Sequence, residues 1–189
     1  MRDMQMGWNR RQFVTATAGL AAGVWGVNSY AQEATGPIVL GQSCALTGAS
    51  AQLGTQFSQG AKLYFDQLNS QGGIGRRLIE LRTLDDGYEP ERCVANTQKF
   101  LADNVMALFG YLGTPTSMAA LPLLQKAKVP LIAPLTGSAA LRDPKLAQTV
   151  FNLRASYADE TALMVKQLVS LGLKKIAVFH QNDAYGQSG

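Results

Sequence analysis

Short apolar segments alternate with segments of helical periodicity along most of this chain. The apolar segments are typical of buried strands, which we predict at residues 38–43, 78–84, 105–110, 130–133, 150–154 and 176–180. Apolar residues at helical spacing predict helices at 59–68, 114–128 and 160–171, and Pro90 suits the first turn of another. This alternation predicts an α/β fold, a doubly wound parallel sheet with helices on both faces.

The glycines and prolines between these segments predict where the chain turns. Gly48 and Gly54 indicate a loop after the first strand, and Pro122 removes a backbone hydrogen bond from the third helix. Ligands of doubly wound sheets bind beyond the carboxyl ends of the strands. Candidate binding residues are therefore expected in the loops after Ser43, Gly110, Ala133 and His180.

The first 31 residues have the pattern of an export signal. Arg10 and Arg11 precede a mildly apolar run at 13–27, which is shorter than the roughly 20 apolar residues of a membrane span. Small residues at 29 and 31 predict cleavage after Ala31. The paired arginines favour the twin-arginine route, and an ordinary secretory signal is the alternative. We predict a periplasmic protein with no stable membrane span.

Charge and cysteine content narrow the function classes further. The net charge is +4, and half of this excess falls in residues 1–31, so the body shows no basic stripe for nucleic acid. Export leads to an oxidising compartment, in which Cys44 and Cys93 either pair or remain two small buried residues. The spacing alone does not show that they come within disulfide range.

No catalytic or metal-binding constellation is recognisable in the sequence. His180 has no nucleophile or paired carboxylate at a recognisable spacing, and the glycines at 72–75 do not open a helix as in a dinucleotide loop. The acidic residues at 85–91 complement a helix dipole and lack calcium-loop spacing. We predict no enzyme activity, no metal and no cofactor.

Several motifs, in order and at matching spacing over residues 37–189, carry a family resemblance. They are Leu46-Thr47-Gly48 with Leu53-Gly54, the NSQGGIGR run at 69–76, Asp85-Asp86 with Glu89-Pro90, the FGYLGT run at 109–114, Ile132-Ala133-Pro134 and Tyr185-Gly186. Together they resemble the type I periplasmic solute-binding proteins of ABC transporters, the leucine/isoleucine/valine-binding family. Members of that family are roughly twice this length and have two α/β lobes. The resemblance implies a linker at 32–36, a first lobe at 37–153, and a hinge crossover with the start of a second lobe at 154–189.

The resemblance also implies ligand contacts at the cleft. Thr114 matches a Ser or Thr that binds the ligand carboxylate, and a hydroxyl at a helix N-terminus suits an anion. Capping of the helix by Thr114 or Thr116 is the alternative interpretation. The second hydroxyl, for the ligand's ammonium, is at Thr136 instead of the aligned Gly137, with Ser138 as an alternative. Leu135 and Gly137 are also implied contacts, in the stretch 135–137 where the family supplies a backbone carbonyl. The remaining implied contacts are the closing aromatic Tyr185, the apolar wall Leu53 and the floor formed by Leu112 and Gly113.

The function implied by the resemblance is transport without covalent chemistry. The protein would close two lobes around a small solute, an amino acid or related carboxylate, and deliver it to an inner-membrane ABC permease. A ligand-sensing receptor domain of the same fold, for amides or amino acids, is the alternative. The sequence does not name the ligand.

Overall fold

The computed structural model describes residues 36–189. The predicted export signal, its cleavage site after Ala31 and most of the predicted linker lie outside the described residues. Strands and helices alternate in the order β1 Ile38–Cys44, α1 Ala51–Ser70, β2 Ile79–Asp85, α2 Pro90–Ala102, β3 Ala107–Phe109, α3 Thr114–Ala127, β4 Leu131–Ile132, β5 Val150–Phe151, α4 Tyr157–Ser170 and α5 Ala184–Ser188. Two short 3₁₀ helices, Ala139–Arg142 and Pro144–Leu146, precede β5.

The sheet is parallel throughout and has the order β2-β1-β3-β4-β5. This order confirms the predicted α/β fold class, with β1 inside the sheet and flanked by β2 and β3. The chain moves outward from β1 to β2 and then returns across β1 to form β3. The place where the direction reverses is the point at which α/β sheets open a crevice for ligands.

The two faces of the sheet are covered by different helices. Phe65 and Leu68 of α1 pack with Leu40 and Ile79 on one face. On the other face, α2 and α3 pack against each other, and they enclose a larger cluster that includes Phe100, Leu108, Leu124 and Leu131. Residues of β1 alternate between these two clusters, so both faces of the strand are buried. That burial explains the apolar beginning of the strand at 38–40, and the buried polar side chains of Gln42 and Ser43 that follow are hydrogen-bonded.

Several elements differ from the sequence prediction. The loop predicted around Gly54 is wrong, because α1 already begins at Ala51 and Gly54 is a buried helical residue. A Cβ at this position would lie 1.9 Å from the Ala45 carbonyl oxygen, so glycine permits a close approach between α1 and the end of β1. β3, β4 and β5 are shorter than predicted, and β5 already ends at Phe151. β3 and β4 end where left-handed φ values of 59° at Gly110 and 53° at Ala133 turn the backbone out of the extended region.

The strand predicted at 176–180 is also wrong. Residues 173–181 have no regular secondary structure, and Val178 and Phe179 are exposed. The remaining segments match their predicted type. α3 begins at Thr114 and continues through Pro122. α4 begins three residues before the predicted start, where the Ser156 hydroxyl accepts a hydrogen bond from the Asp159 amide at 3.1 Å.

Candidate functional site

Two buried threonine hydroxyls meet at the carboxyl edge of the sheet. Thr114 is the first residue of α3, which follows β3, and Thr136 lies in the loop that follows β4. Their Oγ1 atoms are 2.7 Å apart, and neither residue is exposed to solvent. The structure therefore brings together two of the residues that the family resemblance implies for ligand binding.

The backbone around Thr114 is fixed by pairing beyond the ends of β3 and β4. The Leu135 amide donates to the Tyr111 carbonyl at 2.8 Å, and an isolated parallel bridge joins Leu112 to Leu135. Gly113 then occupies the N-cap position of α3 with a φ of 103°, a conformation that favours glycine. These contacts fix the direction in which the first turn of α3 points.

Neither threonine at this helix start acts as its cap. The N-cap residue is Gly113, which has no side-chain cap. The Thr116 hydroxyl instead donates to the carbonyl oxygens of Leu112 and Gly113, at 2.6 and 3.1 Å. The capping interpretation of Thr114 and Thr116 is therefore wrong, and the Thr114 hydroxyl has only Thr136 as its hydrogen-bond partner among the described residues.

The start of α3 is chemically suited to a negative charge. The first backbone N–H groups of a helix have no partner inside the helix, and the helix dipole places partial positive charge there. No acidic residue lies in the first turn of α3, and its second residue, Pro115, has no N–H. The Thr114 hydroxyl adds a side-chain donor to these groups, an arrangement that suits a carboxylate.

The loop after β4 contains both hydroxyls that the sequence left as alternatives, those of Thr136 and Ser138, and the structure distinguishes them. The Ser138 hydroxyl accepts from the Ala140 amide at 3.3 Å and caps the 3₁₀ helix, whereas the Thr136 hydroxyl faces Thr114 and accepts from the Ser138 amide at 3.2 Å. Gly137 has no room for a side chain, since a Cβ would lie 2.7 Å from the Tyr157 ring. Thr136 is therefore the hydroxyl that belongs to the pair.

The apolar residues expected at the site differ in their burial. Leu112 is buried with Cys44 and Ala45 under the loop, and Leu135 packs on that cluster from a half-buried position. Leu53 lies on the first turn of α1 and is 54% exposed. The structure thus places Leu112 in the core beneath the site, whereas Leu53 is available at the surface.

Tyr185, expected to close over the ligand, lies on α5. This short helix contacts α3, and Asp183 caps it by accepting from the amides of Tyr185 and Gly186, both at 3.0 Å. The Tyr185 ring packs edge-on against Tyr157, with ring centroids 5.3 Å apart. Tyr185 therefore lies on a helix that packs against the helix that Thr114 begins.

Two tyrosines that were not predicted as ligand contacts lie near this helix start. Tyr157 is buried at the beginning of α4, and the Tyr88 ring lies against Gly113. Burial raises the pKa of Tyr88 to about 12, and nearby Asp183, Tyr157 and Tyr185 act in the same direction. No local sequence pattern marks Tyr157, because its proximity to the site arises only when loops from distant parts of the chain meet.

The acidic residues after β2 have structural partners. The Asp85 carboxylate accepts from the amides of Leu46, Thr47 and Gly87, from the Thr47 hydroxyl at 2.7 Å and from Arg92 at 2.7 Å. Burial acts to raise the pKa of Asp85, but these hydrogen bonds hold it well below its usual range. Asp86 is fully buried and accepts from the Ser43 hydroxyl at 2.6 Å, and burial raises its pKa. Asp85 therefore ties the loop after β1 to the end of β2.

The two cysteines are free and buried. Cys44 contacts the Gly54 carbonyl on the α1 face of the sheet, whereas Cys93 belongs to the cluster on the opposite face. Consecutive side chains of a strand point to opposite faces, so the sheet itself separates these thiols. The sequence left open whether the two cysteines pair or remain two small buried residues, and the structure shows two small buried residues.

Within residues 36–189, no helix combines the length and apolarity needed to cross a bilayer, and no group of three or more His, Cys, Asp or Glu side chains is arranged to hold a metal ion.

The chain resembles known proteins over most of the described residues. A family described as periplasmic binding protein matches residues 37–189. An amino acid binding protein of Pseudomonas aeruginosa is 28% identical over 170 residues, which are 89% of this chain and 45% of that protein.

Solved structures show the same relationship. A possible leucine/isoleucine/valine-binding protein from Rhodopirellula baltica SH 1 has 40% identity and a TM-score of 0.76, covering 80% of this chain and 41% of that one. A substrate-binding periplasmic protein from Ralstonia solanacearum has 36% identity and a TM-score of 0.75, covering 80% of this chain and 43% of that one. The chain spans less than half the length of these relatives.

Proposed function

This chain belongs to the periplasmic binding protein family, and we propose that it is part of the substrate-binding component of an ABC importer, one that binds a small carboxylate. The observation that carries the proposal is the pair of buried hydroxyls of Thr114 and Thr136, 2.7 Å apart at the N-terminus of α3. A helix N-terminus with a side-chain donor and no acidic residue in its first turn is suited to hold an anionic group.

The ligand class follows from the site together with the relatives. The relatives described above are an amino acid binding protein and a possible leucine/isoleucine/valine-binding protein. An amino acid carries the carboxylate that the start of α3 suits. We therefore infer an amino acid or a related carboxylate as the ligand.

Each site residue has a role in this proposal. Thr114 donates its hydroxyl to the ligand carboxylate, and Thr136 orients that hydroxyl. The Leu135 carbonyl, which accepts from the Gly113 amide at 3.5 Å, has a second lone pair for the ammonium group, and Tyr185 covers the ligand from α5. Leu53 forms an apolar wall, while Leu112 and Gly113 form the floor beneath the carboxylate.

Binding would couple to a movement between two lobes. In this proposal residues 37–153 form the first lobe, and residues 154–189 contain the crossover and the beginning of the second. A ligand held by Thr114 on one side and Tyr185 on the other favours the closed arrangement, because it contacts both sides only there. The closed protein in the periplasm then delivers its ligand to an inner-membrane permease.

Calorimetric titration with L-leucine and other L-amino acids, on the protein with both lobes, tests the carboxylate contact. We expect Thr114→Val to weaken binding about ten- to a hundredfold, because a hydrogen bond to a charged group contributes roughly 1.5–3 kcal/mol. Thr114→Ser keeps the hydroxyl and should restore most of the affinity. Thr55→Val, on α1, is the matched control with no role in the site.

The amide forms of the same ligands separate charge from shape. They should bind the wild-type protein weakly and lose little more in Thr114→Val. An unchanged dissociation constant for the acids in Thr114→Val would remove this residue from the site. Binding of amides as tight as that of acids would reject the carboxylate class.

A further inference from the structure

Tyr111 is a fully buried tyrosine in the loop between β3 and α3. In β3, Leu108 belongs to the cluster enclosed by α2 and α3, whereas Phe109 packs on the α1 side of the sheet. Continued alternation would turn residue 111 towards α1. The left-handed φ of 59° at Gly110 interrupts that alternation, and the Tyr111 side chain joins the cluster between α2 and α3. The loop that leads to Thr114 is therefore anchored in the core by its bulkiest side chain.

The hydroxyl of Tyr111 reaches α2. Its oxygen lies 2.9 Å from Thr97 Oγ1, and both residues are fully buried. The Thr97 hydroxyl donates its only proton to the Cys93 carbonyl at 2.7 Å, so the phenol donates to Thr97. A buried phenol requires such a partner. This hydrogen bond therefore fixes the position of the loop relative to α2.

The backbone of Tyr111 holds the second loop of the site. Its carbonyl accepts from the Leu135 amide at 2.8 Å, one residue before Thr136, and its neighbour Leu112 forms the parallel bridge with Leu135. Tyr111 also lies three residues before Thr114. One residue is thus connected to both of the loops that supply the hydroxyl pair. Because loops are ordinarily more mobile than the elements they join, an anchor in the core at this junction restricts both.

We propose that Tyr111 is a positioning residue that sets the hydroxyl pair of Thr114 and Thr136 from the core. Its side chain fixes the loop after β3 to α2, and its carbonyl aligns the loop after β4 with the first loop. All of these contacts lie within residues 93–136, so they do not restrain the proposed movement between the lobes. This inference deepens the proposed function and rests on it only for the effect on ligand binding.

Three substitutions separate this role from a general effect on stability. Tyr111→Phe keeps the ring in the core and removes only the hydroxyl. Thr97→Val removes the partner of that hydroxyl and keeps a branched side chain. Val105→Ala is the matched control, because it removes methyl groups from the same buried cluster at the amino end of β3, away from both loops.

Hydrogen–deuterium exchange of the protein with both lobes, without ligand, measures the order of the two loops. In Tyr111→Phe we expect exchange at 110–117 and at 135–138 to become about two- to tenfold faster, the effect of losing one ordinary hydrogen bond. Val105→Ala should not accelerate these two segments more than the neighbouring strands. Unchanged exchange at either segment in Tyr111→Phe would overturn the proposal.

The double variant tests whether the Tyr111 hydroxyl acts through α2. Thr97→Val alone should accelerate the same two segments by a similar factor. Adding Thr97→Val to Tyr111→Phe should change the exchange rates less than about twofold further, because the shared hydrogen bond is already lost. Fully additive effects of the two substitutions would overturn the proposed link to α2.

Ligand binding supplies a measurement that a purely structural role would not change. With L-leucine as the probe, Tyr111→Phe should bind about two- to tenfold more weakly. Val105→Ala should keep the wild-type affinity even where its melting temperature falls as far. Equal affinities of the wild type and Tyr111→Phe would overturn the positioning role. Absence of L-leucine binding to the wild-type protein would instead count against the proposed ligand class, and the exchange rates would then decide the role of Tyr111.

Discussion

Replacing Asp85 by Asn should destabilise the protein far more than the loss of one exposed charge. The carboxylate accepts five hydrogen bonds, of which Oδ1 accepts those from the amides of Leu46, Thr47 and Gly87. Oδ2 accepts from the Thr47 hydroxyl and from Arg92. An Asn side chain keeps one acceptor oxygen for the three amides and places an NH₂ group where Oδ2 stood. Arg92 then has no acceptor, and the Thr47 hydroxyl must rotate to accept from a neutral amide.

The magnitude follows from these contacts. Exchange of the Thr47 hydroxyl's bond to a carboxylate for one to a neutral amide costs roughly 1–1.5 kcal/mol, and loss of the exposed Arg92 pair adds at most about 1 kcal/mol. The amide bonds that remain are also weakened, because they are no longer charge-assisted. We therefore expect a loss of about 3 kcal/mol in the free energy of unfolding. For a chain of 189 residues this corresponds to a decrease of about 6–12 °C in melting temperature.

The effect should depend on pH in a defined direction. The folded protein holds the pKa of Asp85 below its usual range. The contribution of the carboxylate to the free energy of unfolding is therefore complete above the unfolded pKa of about 3.9, and it is lost as pH falls through the folded pKa. The difference in stability between wild type and Asp85→Asn should therefore be full at about pH 7 and shrink below about pH 4.

Urea unfolding of both proteins across this pH range measures the difference. Asp66→Asn is the matched control, since Asp66 has a 61% exposed side chain and forms only an i,i+4 ion pair with Lys62 at 3.6 Å. That control should lose about 0.5 kcal/mol or less. A loss in Asp85→Asn no larger than in the control, or a difference that does not change with pH, would refute the role given to Asp85.

Two further predictions concern buried positions on α1 and in the core. Gly54→Ala should lower the free energy of unfolding by about 2–3 kcal/mol because its Cβ would meet the Ala45 carbonyl oxygen. Gly60→Ala, in open space on the same helix, should raise the free energy of unfolding by roughly 0.5–1 kcal/mol. Urea unfolding measures both variants, and equal changes in the two would contradict this prediction. Burial raises the pKa of the Cys44 and Cys93 thiols to about 12, so a thiol reagent should modify both at least about tenfold more slowly in the native than in the unfolded protein. Rapid modification of either native thiol would be inconsistent with its position.

The central elements were predictable because their local pattern and their environment agree. β1 is buried on both faces between α1 and α2, so its sequence begins with a short apolar run at 38–40. The neighbourhood of Thr114 and Thr136 was also predictable in outline. Each follows a strand of a parallel sheet, and the carboxyl ends of such strands meet at one edge. The 2.7 Å contact between their hydroxyls depends on the pairing of Leu112 with Leu135.

Features that depend on distant contacts were not predictable. Glycine is a common loop residue, yet Gly54 is helical because α1 must pass close to the Ala45 carbonyl. Ala133 adopts a left-handed φ of 53° and ends β4, although its side chain does not favour that conformation. Tyr88 reaches Gly113 only because loops after β2 and β3 meet at the same edge. In each case the deciding atom belongs to a residue far away in the sequence.

The segment at 176–180 shows most directly why an apolar pattern is insufficient for a strand. Its alternating, β-branched and aromatic residues favour the extended conformation, but a strand is stabilised by hydrogen bonds to a neighbour and by burial of its side chains. Among residues 36–189 the sheet consists of β1 to β5, and none of these strands pairs with this segment. Val178 and Phe179 accordingly remain exposed. Local sequence therefore sets the propensity of the segment, and only a strand beside it would convert that propensity into structure.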